Sequence, residues 1–236
     1  MNKITVIGGL GFFGSHLSGR FLEEGWEVNA IDAMEKNAEE KEAIDMSMGR
    51  NANYTCFPEV ASSCIARAKS SCYIYAARST GVEEVVAVAE QLDKDDLFVY
   101  LSMSKAHYLH RTGNDSQYEQ DVVSIETALK KIAADRSFSI LILRAPLTYG
   151  LHSEIPLSYV AEKVESNEEL LYIDDFVTYI LETIQSYIEP STLEEKRNRT
   201  IDQDDILHDS ATTSINEGYL LYRDAEKKWI RQNDLK

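Results

Sequence analysis

Near its N-terminus the chain carries Ile4-Thr5-Val6-Ile7-Gly8-Gly9-Leu10-Gly11-Phe12-Phe13-Gly14-Ser15-His16-Leu17, and its architecture can be inferred outward from this stretch. The β-branched run at residues 4–7 is typical of a strand that is buried on both faces. From Leu17 onward the apolar residues recur at helical spacing. Between strand and helix, the glycines fit a Gly-x-Gly-x-x-Gly pattern. The stretch therefore predicts a strand, a glycine turn and a helix.

The glycine spacing has a physical reason at each position. Gly8 and Gly9 allow a sharp turn off the strand, Gly11 allows a pyrophosphate to approach the backbone, and Gly14 allows the helix to pack closely on the sheet. The pyrophosphate would bind the N–H groups and the positive dipole end of the helix. A glycine-rich turn that binds nothing is the alternative interpretation.

A carboxylate follows the second predicted strand, as a dinucleotide site requires. Residues 26–31 read as that strand, and Asp32 lies eighteen positions after Gly14, where it can accept hydrogen bonds from an adenosine ribose. A carboxylate here pairs with a free 2′-hydroxyl and repels a 2′-phosphate, and residues 33–35 contain no Lys or Arg to reverse that field. The sequence therefore predicts NAD as the cofactor and disfavours NADP.

Composition limits the classes of function. The 236 residues, of which 44% are hydrophobic, are enough for one substantial α/β core. The formal net charge of −16 disfavours nucleic acid and anionic membranes as partners. No apolar run is long enough to cross a membrane, no secretory leader is recognisable, and the three cysteines lack metal-site spacing. We therefore expect a cytoplasmic protein without a metal.

Predicted strands and helices alternate over the first 145 residues. Further strands are expected at residues 54–57, 72–77, 97–101 and 139–144, and helices at residues 34–48, 60–68, 82–92 and 118–134. Residues 105–117 are polar and read as a loop. This alternation predicts a Rossmann-type, doubly wound parallel sheet.

The pattern loosens after residue 150, so we divide the chain into a dinucleotide-binding domain, residues 1–150, and a short C-terminal region, residues 151–236. The second region is expected to contain helices at 157–165 and 176–188, a short strand at 170–173, a charged linker at 189–199 and a small helical appendage after residue 202. The three histidines in presumed loops, His107, His110 and His152, are expected at the surface.

These motifs together resemble the extended or atypical short-chain dehydrogenase/reductases, in the NAD-dependent epimerase/dehydratase family that acts on nucleotide sugars. Residues 8–17 resemble the family's opening motif and Asp32 its ribose-binding acid. The resemblance runs from residue 1 to about residue 185. It continues through Tyr75-Ala76-Ala77, Ser102-Met103-Ser104, Arg144-Ala145-Pro146-Leu147-Thr148-Tyr149-Gly150 and Tyr172-Ile173-Asp174-Asp175.

The resemblance implies roles for particular residues. It makes Ser104 and Tyr118 catalytic, Arg144 and Tyr149 substrate-binding, and the cofactor-binding set Gly8, Gly11, Phe12, Phe13, Gly14, Asp32, Ala76 and Ala77. It also implies a nucleotide-sugar substrate and a homodimer formed through a face that includes the Tyr118 helix.

One departure from the family pattern concerns catalysis. The family's Tyr-x-x-x-Lys pair appears here as Tyr118 and Val122, although Glu126 keeps its expected place. Tyrosine has a reference pKa of about 10, and the family lysine lowers it so that the phenolate can act as a base. Lys105 is the nearest alternative cation. Two hypotheses follow: an NAD-dependent enzyme of nucleotide-sugar chemistry with a weakened or different base, or an inactive dinucleotide-binding sensor, scaffold or partner subunit.

Overall fold

The structure, a computed structural model, describes residues 2–35, 37–77, 81–166, 170–188, 200–203 and 213–233. Within these residues the strands are β1 (Lys3–Ile7), β2 (Glu27–Ile31), β3 (Tyr54–Phe57), β4 (Cys72–Tyr75), β5 (Leu97–Met103), β6 (Ser139–Ala145), β7 (Thr148–Tyr149), β8 (Leu171–Tyr172) and β9 (Thr200–Gln203). The helices are α1 (Phe12–Glu23), α2 (Ala38–Met48), α3 (Ala61–Cys64), α4 (Val82–Ala89), α5 (Lys105–Thr112), α6 (Ser124–Arg136), α7 (Leu157–Ser166), α8 (Ile173–Ile188) and α9 (Ile215–Asn233).

The main sheet is parallel and has the order β3-β2-β1-β4-β5-β6-β9. Ile7 is in register with Ile31 of β2 and with Tyr75 of β4, so these three strands end at one level. The strand order reverses between β1 and β4, and this switch point is where α/β sheets bind ligands. The predicted Rossmann-type doubly wound sheet is confirmed.

Each face of the sheet is covered by helices whose apolar side chains form a separate core. On one face, α1 contributes Leu17 and Phe21, and α8 contributes Phe176 and Ile180. On the other face, α4 and α6 contribute Val88 and Leu129, which are fully buried. Both faces of the sheet are therefore shielded from solvent, which explains why the strand sequences are continuous apolar runs.

The region after residue 150 shares the first of these cores. Tyr149 is completely buried, and its hydroxyl lies 3.5 Å from the carbonyl of Ile215 in α9. Asp175 at the start of α8 accepts hydrogen bonds from the N–H and the hydroxyl of Thr213, at 2.8 and 2.9 Å. The division at residue 150 stays a prediction, and the predicted linker at 189–199 lies outside the described residues.

Two predictions about the elements were wrong. Residues 105–112 form α5 instead of a loop, because Ser104 caps its first turn and Gly113 ends it in the left-handed conformation. His107, expected at the surface, lies on this helix, is only 3% exposed, and has Nδ1 at 3.3 Å from the Ala145 carbonyl oxygen. The strand β9 was not predicted, and it adds a seventh strand beside β6.

No described helix is long and apolar enough to span a membrane.

Candidate cofactor and catalytic site

The glycine turn after β1 crosses the end of β2. The N–H groups of Gly8 and Gly9 donate to the Ile31 carbonyl at 2.8 and 3.2 Å. Gly8 has φ +77°, a conformation that favours glycine. A Cβ at Gly8 would lie 2.6 Å from the backbone nitrogen of Ala77, so the turn also touches the segment that follows β4.

Helix α1 rests directly on this turn. A Cβ at Gly14 would lie 1.9 Å from the carbonyl oxygen of Gly8, so that only glycine permits the contact. Gly11 begins the helix without a capping side chain, and a Cβ there would meet only the Gly8 oxygen, at 3.3 Å. The first-turn N–H groups of a helix have no acceptor within the helix. Space and donors for an anion therefore coincide at Gly11.

A cavity of about 300 Å³ opens at this helix start. Most of the predicted cofactor-binding residues share its wall, namely Gly8, Gly11, Phe12, Phe13, Asp32, Ala76 and Ala77. Gly14 packs against Gly8, which is part of this wall. The structure thus brings the predicted set together at the switch point of the sheet.

Asp32 is held in place from two sides. One carboxylate oxygen accepts the Leu10 N–H at 3.1 Å, and the other lies 2.7 Å from Nζ of Lys41. Lys41 also donates to the Ala33 carbonyl, at 2.5 Å. The prediction from residues 33–35 missed this cation, because it arrives from α2, nine positions along the chain.

At the carboxyl end of β5, the two predicted catalytic residues have structural partners. The Ser104 hydroxyl caps α5 by accepting the His107 N–H at 3.2 Å. The Tyr118 phenol donates to the Met103 carbonyl at 3.1 Å, and its ring packs edge-on against Tyr108 with centroids 5.3 Å apart. The phenol therefore lies beside the serine stretch, but it is engaged with the backbone.

The helix that follows Tyr118 begins irregularly. Residues Glu119–Val123 form a π-helical turn before the regular helix α6. Such turns recur at functional sites. Val122, at the family's lysine position, is buried against Tyr108 and Tyr118. Lys105 lies on the exposed start of α5.

A second cavity, of about 470 Å³, extends from Ala77 along the end of β5. Its wall includes Val122 together with polar groups of Ser102, Tyr108 and Asp121. The Tyr108 hydroxyl donates to the Asp121 carboxylate at 2.5 Å, and this bond raises the pKa of Tyr108 above its usual value. The cavity therefore adjoins the cofactor cavity at Ala77 and has hydroxyl and carboxylate groups for a polar ligand.

Beneath this cavity lies a buried ionic network that sequence reasoning missed. Glu126 is 2% exposed, accepts a hydrogen bond from Ser102 at 2.5 Å, and forms a two-pronged pair with the guanidinium of Arg144. Arg144, predicted to bind substrate, thus donates two hydrogen bonds to the Glu126 carboxylate. Tyr149, also predicted to bind substrate, is covered by α9 and has no exposed surface.

Comparisons with known proteins agree with this geometry. The sequence profile described as the NAD dependent epimerase/dehydratase family matches residues 4–187. A comparison with curated proteins finds no match.

Several solved structures have the same fold. A dTDP-glucose 4,6-dehydratase from Bacillus anthracis in complex with NAD is 14% identical, with a TM-score of 0.71 over 97% of this chain and 98% of that one. A UDP-glucose 4-epimerase from Thermotoga maritima with UDP-glucose is 15% identical, with a TM-score of 0.65 over 96% and 99%. A third, a UDP-glucose 4-epimerase from Bifidobacterium longum in complex with NAD+ and UDP, is 13% identical, with a TM-score of 0.67 over 99% of both chains.

Proposed function

Since the chain belongs to the NAD-dependent epimerase/dehydratase family, we propose that it binds NAD at the glycine turn and acts on a nucleotide sugar. The observation that carries the proposal is the cavity at the start of α1, where the cofactor-binding residues predicted from sequence line one wall. When bound, the nicotinamide would supply a hydride acceptor for transient oxidation at a sugar carbon.

The residues present suit a dinucleotide. The start of α1 offers N–H donors and a positive dipole end to a pyrophosphate, which offsets the unfavourable net charge of −16. Asp32 is oriented by the Leu10 N–H and can accept hydrogen bonds from ribose hydroxyls. Ala76 and Ala77 are small enough to let a planar ring lie against the backbone.

In the catalytic half, Ser104 and Tyr118 would orient the sugar hydroxyl and remove its proton. Tyr118 would first have to give up its hydrogen bond to Met103, and the buried Val122 provides no charge to stabilise a phenolate. Proton removal is therefore expected to be slow. The same two observations favour a second candidate, a dinucleotide-binding protein without turnover that serves as a sensor, scaffold or partner subunit.

Titration of the protein with NAD, alone and with UDP- and dTDP-sugars present, tests the proposal. Micromolar NAD binding that a sugar nucleotide tightens would support a working ternary site. NAD binding without any effect of sugar nucleotides would favour the second candidate, and failure to bind NAD would overturn both. Cytoplasmic location, homodimer formation and the substrate roles of Arg144 and Tyr149 also remain proposals.

Replacing Asp32 with alanine should weaken NAD binding by about tenfold, because the carboxylate's hydrogen bonds to the ribose are lost. Binding of NADP should weaken less or improve, since the negative charge that faces a 2′-phosphate is removed. Calorimetric titration of both dinucleotides measures the change in preference. Asp95→Ala, in an exposed turn, is the control for net charge. Unchanged affinities for both dinucleotides would remove Asp32 from the site.

Replacing Val122 with lysine should raise turnover by about tenfold or more, if only the missing cation limits proton removal. The adjoining cavity gives the longer side chain room. The measurement is steady-state turnover of a panel of UDP- and dTDP-sugars, with Val123→Lys as the control one position along. A folded Val122→Lys protein whose turnover does not exceed that of the original chain would contradict the hypothesis of a single lost residue.

A further inference from the structure

The ion pair at the adenosine end of the cofactor cavity bears on which dinucleotide this chain accepts. Nζ of Lys41 lies 2.7 Å from Asp32 and 2.5 Å from the Ala33 carbonyl. The side chains of Lys41 and Asp32 are 16% and 14% exposed, so solvent screens their interaction only partly. The Lys41 ammonium group is therefore held in place beside Asp32 by two hydrogen bonds.

Lys41 faces the space that an adenosine would occupy. It lines the cavity at the glycine turn and also a neighbouring cavity of about 210 Å³ that runs from Asp32 toward α3. An ammonium group has three N–H donors, and its two contacts within the described residues use two of them. The geometry leaves it able to donate to a ligand group placed beside Asp32.

The ion pair changes the charge argument at the ribose. A bare carboxylate repels a 2′-phosphate, which carries close to two negative charges at neutral pH. Lys41 compensates the charge of Asp32. Three other acids line the smaller cavity: Glu59 is paired with Arg67, Glu84 accepts two hydrogen bonds from Ser62, and Glu35 is exposed, so solvent screens its charge. The repulsion expected from Asp32 alone is therefore largely cancelled at this end of the cavity.

We propose that Lys41 is a specificity-determining residue that lets the adenosine end of the site accept a 2′-phosphate, so that the chain binds NADP as well as NAD. The proposal rests on the proposed dinucleotide function. Asp32 keeps lone pairs to accept hydrogen bonds from an unphosphorylated ribose, while Lys41 donates to the phosphate of the alternative ligand.

The test is calorimetric titration of the full chain with NAD, NADP, 5′-AMP and adenosine 2′,5′-bisphosphate. The last two ligands differ only in the 2′-phosphate, so their ratio isolates the adenosine end. The original chain should bind the two dinucleotides with affinities within about tenfold of each other. Lys41→Gln should weaken binding of the 2′-phosphorylated ligand of each pair by about tenfold or more relative to its unphosphorylated counterpart.

Two further variants separate charge from structure. Lys41→Arg keeps the cation and should retain most NADP binding. Lys69→Gln removes the same charge from a similar ion pair, 2.8 Å from Asp93, at an exposed site outside both cavities, and should change neither ratio. Circular dichroism of each variant checks that the overall secondary-structure content is retained.

The outcomes separate this inference from the proposed function. If NAD binds but NADP does not, or if Lys41→Gln shifts both ligands of a pair equally, the specificity role of Lys41 is overturned and NAD binding stands. If neither NAD nor 5′-AMP binds the original chain, the proposed function falls, and the inference falls with it.

Discussion

Gly14→Ala should lower the free energy of unfolding by about 3 kcal/mol or more and weaken NAD binding by at least about tenfold. The added Cβ would lie 1.9 Å from the Gly8 carbonyl oxygen and 2.7 Å from the Gly9 Cα. Both contacts are with backbone, so no side chain can rotate away. Helix α1 must move off the turn, and the donors at its start move with it. Thermal or denaturant unfolding and NAD titration measure the two effects.

Gly19→Ala is the matched control, because it makes the same change on the same helix where nothing lies within 4 Å of the new Cβ. Removing a glycine from a helix interior should stabilise the protein by about 0.5–1 kcal/mol. Opposite signs at Gly14 and Gly19 would confirm that packing on the turn is the cause. A Gly14→Ala protein with unchanged stability and unchanged NAD affinity would contradict the close contact of helix and turn.

Glu126→Ala should cost about 3–5 kcal/mol of stability, since it removes the buried carboxylate that pairs with the largely buried guanidinium of Arg144 in a low-dielectric setting. The Ser102 hydroxyl loses its acceptor in the same step. Urea unfolding measures the loss. The exposed Asp135 on the same helix provides a control, and Asp135→Ala should change stability by less than about 0.5 kcal/mol.

A double variant distinguishes an uncompensated charge from a simple loss of packing. Glu126→Leu combined with Arg144→Met removes both charges and keeps similar volume, so that stability should return to within about 1–2 kcal/mol of the original chain. A double variant as unstable as Glu126→Ala would mean that the pair matters through its shape and not through its charge.

The parts of the fold that sequence predicted are those specified by neighbouring residues. The glycine turn needs a particular backbone conformation at Gly8 and close approach at Gly14, and both requirements appear directly as residue type. The buried strands appear as apolar runs because both faces of the sheet are covered. Helix α5 was not predicted, because its polar composition is typical of a loop. Its capping signals were nevertheless present in the sequence, with Ser104 at the start and Gly113 at the end.

The parts that sequence did not predict depend on residues that come together only in the folded chain. Lys41 meets Asp32 because α2 folds back over the end of β2, a geometry that the local window at residues 33–35 does not contain. The network around Glu126 joins two strand ends and a helix, so that the motif positions of Glu126 and Arg144 do not by themselves predict that the two side chains pair. Strand β9 lacks the long apolar run of the central strands.

The burial of Tyr149 beneath α9 sets an order of events during synthesis. The Tyr149 hydroxyl reaches the Ile215 carbonyl, and Ile155 accepts a hydrogen bond from Tyr222, in each case across more than sixty residues. All seven strands of the main sheet precede these partners in the chain, so they leave the ribosome first. A nascent chain paused at that stage would carry an uncovered aromatic surface around Tyr149, to which chaperones or other chains could bind.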